Sequence, residues 1–66
     1  MISYKPFFKL LVDKELKTQN IVSAIRVSSA TLAKMRKNEY IALEVIERLC
    51  KYLNCQPGDL IEYIAD

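Results

Sequence analysis

Apolar residues recur along the chain at helical spacing, in blocks separated by short polar stretches. Phe7, Leu10 and Leu11 make the first stripe, with Lys5, Lys9 and Asp13 outside it. Pro6, tolerated at a first helical position, predicts a helix from there to about Glu15. Ahead of it, Ile2 and Tyr4 alternate with polar neighbours, as a short extended segment would. A second helix is expected from near Thr18, read as its N-cap, with Ile21, Val22 and Ile25 inward and an end around Arg26. Ser28 reads as the N-cap of a third helix, SSATLAKMRK, whose apolar positions are Leu32 and Met35. Asn38 suits the left-handed residue that ends such a helix.

The strongest pattern runs from Leu43 to Leu53, with Leu43, Ile46, Leu49, Cys50 and Leu53 on one face. Glu44 with Arg48, and Glu47 with Lys51, have the spacing and order of helix-stabilising ion pairs. Pro57 then opens a short last helix, with Asp59 in its first turn and Leu60, Ile61 and Ile64 buried. The expectation is an all-α chain of five helices, a single domain over residues 1–66 with short connections.

Sixty-six residues lie near the lower limit for a core that stands without staples. With 52% apolar residues and one Gly, close helix packing can supply it. There is no His, and Cys50 and Cys55 lack a CxxC spacing, so no metal site is expected. A bridge between those cysteines would need unusual geometry, and two reduced thiols in a reducing cytoplasm are expected instead. The start, MISYKPFFKLLVDKEL, breaks its apolar run with Pro and charges and resembles neither a signal peptide nor a membrane span. Enzymatic chemistry is not expected: the chain has no Gly-rich phosphate loop, and its acids are dispersed rather than paired. No cofactor or small-molecule ligand is indicated.

Net charge is only +2, but its distribution is uneven. From Leu16 to Asn38 the charged residues are Lys17, Arg26, Lys34, Arg36 and Lys37, with no acid. From Glu39 onward come Glu39, Glu44, Glu47, Asp59, Glu62 and Asp66 against Arg48 and Lys51. A basic third followed by an acidic part is compatible with a polyanionic partner. The same basic third holds TQNIVSAIRVSSATLAKM, residues 18–35. A helix of two turns, a short turn with an inward Val27, and a second helix opened by Ser describe a helix-turn-helix over about residues 18–37. Ile21, Ile25, Val27, Leu32 and Met35 would lock the two helices at a steep angle, leaving the outer side of the second as a ridge of major-groove width.

The segments VSSATLAKM, IALEVIERLCKYLN and CQPGDLIEYI, in that order, resemble the short stand-alone members of the XRE (Cro and lambda-repressor) family. The resemblance runs from about Tyr4 to Ile64. It implies a compact five-helix lambda-repressor-like DNA-binding domain of a bacterial or phage regulator, most often a repressor. It also implies a recognition helix over Ser29–Lys37 and a homodimer on a near-palindromic operator in double-stranded DNA. The same domain resembles antitoxins and anti-repressors, whose main partner is another protein and for which the acidic half would be the docking surface. The chain stops at Asp66 with no further tail, which favours the simple regulator. The dimer contact has two candidates: the last helix with Tyr63 and Ile64, or the extended start around Ile2 and Tyr4.

On this reading each residue of the motif has a role and an ordinary alternative. Thr18 and Gln19 open the second helix, where backbone N–H groups favour a phosphate, or else act as cap and solvated neighbour. Ser28 is first a cap. Ser29 and Ala30 sit on the first turn of the recognition helix and read bases weakly, through a hydroxyl and a methyl. Thr31 lies between two faces. Lys34 can reach guanine O6 and N7, or a phosphate. Arg36, Lys37 and Asn38 would meet the DNA backbone, although the helix dipole alone also favours cations there. Two features depart from the family pattern. Arg26 stands where the family places Gly, so a positive φ is expected at Arg26. The family's Thr-Gln pair is also reversed, which leaves either Thr18 or Gln19 to face a phosphate.

Overall fold

The two ends of the chain pair with each other. In the computed structural model, which describes residues 1–65, Ile2–Ser3 (β1) and Glu62–Tyr63 (β2) form an antiparallel ribbon. Ile2 lies opposite Tyr63 and Ser3 opposite Glu62. Between them run α1 (Lys5–Asp13), α2 (Thr18–Ile25), α3 (Ser29–Arg36), α4 (Leu43–Leu53) and a single 3-10 turn, Pro57–Asp59. Asp66, counted above among the acids, lies outside the described residues.

The core draws on every helix. Phe7, Ile21, Met35 and Leu49 come from α1 to α4, Leu60 follows the 3-10 turn, and all five side chains are fully buried. Each such burial is worth roughly 1.5–3 kcal/mol, the main return a chain of this size has against its conformational entropy. Tyr4, Leu11, Val27, Leu32, Ile46 and Leu53 complete the cluster. Among the described residues, no buried side-chain nitrogen or oxygen lacks a partner.

Helix ends follow local hydrogen bonding. The Ser3 hydroxyl accepts from the Lys5 N–H at 3.2 Å, so α1 starts one residue before Pro6. It stops at Asp13 because Glu15 takes a left-handed conformation and the Leu16 N–H returns to the Leu11 carbonyl at 2.8 Å. Thr18 is not the N-cap of α2 but its first residue; Lys17 is the cap. The Asn20 side chain reaches back to accept from the Lys17 N–H at 2.8 Å, which makes a hydroxyl at the cap position unnecessary. Asn54 closes α4 in the left-handed region, and the Cys55 N–H bonds the Cys50 carbonyl at 3.0 Å. Both thiols are free and half-buried.

Two expectations are corrected. The fold has four α-helices and a strand pair, not five helices. Pro57 and Gly58 start one 3-10 turn, in which Asp59 accepts from the Gln56 N–H at 2.9 Å, and the chain then extends. Extension lets Glu62 and Tyr63 pair with Ile2–Ser3, whose edge a helix would have left unpaired. Ile64 is accordingly 37% exposed rather than buried. Leu43, assigned above to the inner face of α4, is 79% exposed at the first position of that helix, where it edges an open groove instead of entering the core.

Candidate nucleic-acid interface

The turn between α2 and α3 is three residues long, and each has one task. Arg26 adopts φ 56° and ψ 45°, the left-handed conformation expected where the family pattern has Gly. Val27 is buried against the core. Ser28 is extended, and its hydroxyl accepts from the Thr31 N–H at 3.2 Å, capping α3 as its position predicted. With Ile21, Val27, Leu32 and Met35 all buried, the two helices are fixed to one core and to each other.

On α3, Leu32 and Met35 face that core. At helical spacing the opposite side carries Ala30, Ala33, Lys34 and Lys37, with Ser29 beside them, and all five are exposed. No other element covers this side. Ala33 belongs to this surface although the sequence reading passed over it. Its place between Ala30 and Lys37 on the helix is the signal that would have found it. A ridge formed by two Ala and a Ser is narrow, so it can approach a flat or grooved surface closely, with the two lysines at its far end.

Thr18 and Gln19 come to the same side, at the start of α2. They share a shallow groove of about 320 Å³ with Val22, Ser29 and Arg36. Arg36 bridges the two helices: Nη2 donates to the Thr18 Oγ1 at 3.3 Å, and its guanidinium lies 5.8 Å from the centre of the Phe8 ring. Gln19 stays exposed while Thr18 is half-buried and engaged, so the two residues of the reversed pair are not equivalent. Thr31 is half-buried, its hydroxyl 3.2 Å from that of Ser28.

Asn38 is placed differently from its neighbours. It takes φ 58°, as expected for the end of α3, but its Oδ1 points back to accept from the Tyr4 N–H at 3.4 Å. The adjacent Glu39 carbonyl accepts from the Tyr4 hydroxyl at 2.6 Å. This residue therefore anchors the α3 exit to the start of the chain, and its side chain faces the protein.

The charge on this side is one-sided. Lys34, Arg36 and Lys37 cluster at the α3 C-terminus, and among the described residues none of them is held in an ion pair. Glu44 and Arg48 form an ion pair away from this side, on α4, at 2.5 Å. Among the described residues no group of three metal-ligating side chains exists, and no helix is long and apolar enough to cross a membrane.

Comparison with known proteins agrees with this geometry. Residues 8–66 match the family model of the Cro/C1-type HTH DNA-binding domain. The chain is 30% identical over 59 residues to an uncharacterized HTH-type transcriptional regulator, YozG, of Bacillus subtilis (strain 168), covering 86% of this chain and 70% of that one. It is also similar to the crystal structure of the transcriptional regulator VanUg, with a TM-score of 0.93 and 42% identity over 98% of this chain and 87% of the other. With a left-handed turn, a capped second helix and an uncovered ridge in their proper order, the chain belongs to the Cro/C1-type, or XRE-type, helix-turn-helix family.

Proposed function

We propose that this protein is a sequence-specific double-stranded DNA-binding regulator, acting as a repressor, with the recognition helix Ser29–Lys37 in the major groove. One observation carries the reading: the side of α3 formed by Ser29, Ala30, Ala33, Lys34 and Lys37 is exposed and cationic and is built on a rigid helix-turn-helix. Family membership supports the same reading.

In this mode the N-terminal turn of α3 enters deepest. Ser29 and the Ala30 and Ala33 methyls meet base edges and thymine methyls, and Lys34 reaches guanine O6 and N7. Gln19, Arg36 and Lys37 hold phosphates on either side of the groove, while Thr18 orients Arg36 and Ser28 and Thr31 keep the helix start rigid. Asn38 contributes through its backbone turn, not its side chain. With one cation among the base readers, each half-site discriminates modestly. A homodimer on two half-sites about one helical turn apart supplies the remaining specificity.

Selection of bound duplexes from a random pool, followed by gel shifts at low and high salt, tests the reading. Recovery of an inverted repeat, with affinity falling steeply between about 50 and 200 mM salt, is the expected result. Equal binding of all duplexes, or no binding at the lower salt, would refute it.

A further inference from the structure

A second group of cations takes no residue from the recognition helix. An open hollow of about 490 Å³ lies between the end of α2 and the C-terminal half of α4, lined by Ala24, Ile25, Arg26, Arg48, Lys51 and Tyr52. Three of these residues are cations and none is an acid. The rest of the lining is largely apolar: Ile25 is half-buried and packed against the core, and the Tyr52 side chain is 43% exposed. Arg48 gives one nitrogen, Nη2, to Glu44, which leaves most of its N–H groups to other acceptors. Arg26 and Lys51 are exposed, and among the described residues neither is held in an ion pair.

Arg26 is the second, independent observation. It holds φ 56°, which Gly adopts freely and a residue with a β-carbon adopts only at a cost. No ion pair of its guanidinium with the described residues offsets that cost. Backbone strain of this kind persists at binding sites, where the side chain or its placement is used. Here the strained residue places an unpaired cation on the rim of the hollow.

We propose that this hollow docks an acidic peptide segment of another protein, one that carries an aliphatic or aromatic side chain among its carboxylates. Arg26 and Arg48 offer planar forks to carboxylates, and Lys51 adds a third, adaptable charge. The apolar side chain of the segment covers Ile25 and the Tyr52 ring. Charge complementarity sets the sign of the partner. The apolar lining selects a peptide over a phosphodiester backbone, which has nothing to bury against Ala24 and Ile25. The inference stands apart from the DNA-binding reading, because the hollow shares no residue with the outer side of α3 or with the groove around Thr18 and Gln19. A duplex and a peptide would thus use different side chains.

NMR titration of the isotopically labelled full chain with a capped peptide, Asp-Glu-Phe-Asp-Glu-Leu, at low salt is the direct test. Saturable shifts are expected at Ala24, Ile25, Lys51 and Tyr52. A peptide with Asn and Gln in place of the acids should bind about ten-fold more weakly, and one with Ser in place of Phe and Leu about three-fold more weakly. Arg26→Gly and, separately, Lys51→Gln are expected to weaken binding of the first peptide by about three-fold or more. Gly relieves the strain at position 26, so a loss in that variant cannot come from unfolding, and a melting curve checks this. Four results would overturn the proposal: no shifts, shifts centred on Lys34 and Lys37, equal binding of the uncharged peptide, or equal binding of the Ser peptide. Inorganic phosphate and a short duplex are titrated in parallel. The same shifts with either would assign the hollow to phosphates, and the same shifts on dilution without peptide would assign it to a second copy. Both outcomes contradict the proposal.

Discussion

The Arg36 guanidinium donates to the Thr18 hydroxyl across the mouth of the helix-turn-helix, joining the end of α3 to the beginning of α2. The contact explains why neither residue behaves as its position alone implies. Thr18 is no cap, and Arg36 is a strut as well as a cation. Arg36→Ala removes an exposed hydrogen bond and the contact with the Phe8 ring, each worth about 0.5–1 kcal/mol at such sites. We expect a loss of about 1 kcal/mol in denaturant unfolding, and weaker binding to every duplex alike. A stability equal to wild type would show that the strut contributes nothing.

Lys34 and Lys37 separate reading from anchoring. Lys34→Ala is expected to change which sequences are selected, with a discrimination loss of about 1–3 kcal/mol at one base pair. Lys37→Ala is expected to weaken all sequences alike and to reduce the log–log salt slope by about 0.9. Parallel gel shifts on the selected repeat and on single-base variants check both. Unchanged preference in Lys34→Ala would reassign that residue to a phosphate.

Arg26 carries backbone strain that Gly would relieve. At φ 56° a β-carbon costs roughly 1 kcal/mol, and the Arg26 side chain is exposed, so little packing is lost with it. Arg26→Gly should therefore raise the melting temperature by about 4–8 °C, whereas Arg26→Ala, which keeps the β-carbon, should not. A lower melting temperature for Arg26→Gly contradicts the strain argument.

Alkaline stability depends on Tyr4 and Cys55. Burial pushes the Tyr4 phenol up from its ordinary value, with a smaller opposing effect from the Ile41 backbone, and burial together with Cys50 and Asp59 pushes the Cys55 thiol up. Raised values favour the neutral forms in the folded state. Their contribution is intact below the unfolded values, about 9 for the thiol and 10 for the phenol, and is lost as pH rises through the folded ones. Unfolding midpoints should thus hold near neutrality and fall above about pH 9. Tyr4→Phe lowers stability at pH 7 by about 1 kcal/mol through loss of the bond to the Glu39 carbonyl, and flattens the later part of the fall. An equally steep fall in Tyr4→Phe would exclude the phenol as its cause.

Much of the candidate site was legible in the sequence because its signals are local. Ser28 as a cap, Arg26 and Asn38 at positive φ, and α4 from Leu43 to Leu53 each depend on residues within a turn or two of one another. The outward placement of Ser29, Ala30, Lys34 and Lys37 follows from Leu32 and Met35 by helical arithmetic alone. Asn38 shows where this reasoning stops. Its backbone conformation is a local matter, but the direction of its side chain depends on Tyr4, thirty-four positions away.

The sequence by itself determined the helix-turn-helix, since periodicity, caps and turn chemistry act over a few residues and need no distant partner. Only the tertiary structure decided that Glu62–Tyr63 extend instead of coiling, because a strand is chosen by the edge it pairs with, and that edge, Ile2–Ser3, lies at the other end of the chain. It alone also decided that Leu43 stands in solvent beside Tyr40. Spacing says which side chains share a face, but whether a face is covered depends on where the neighbouring elements end.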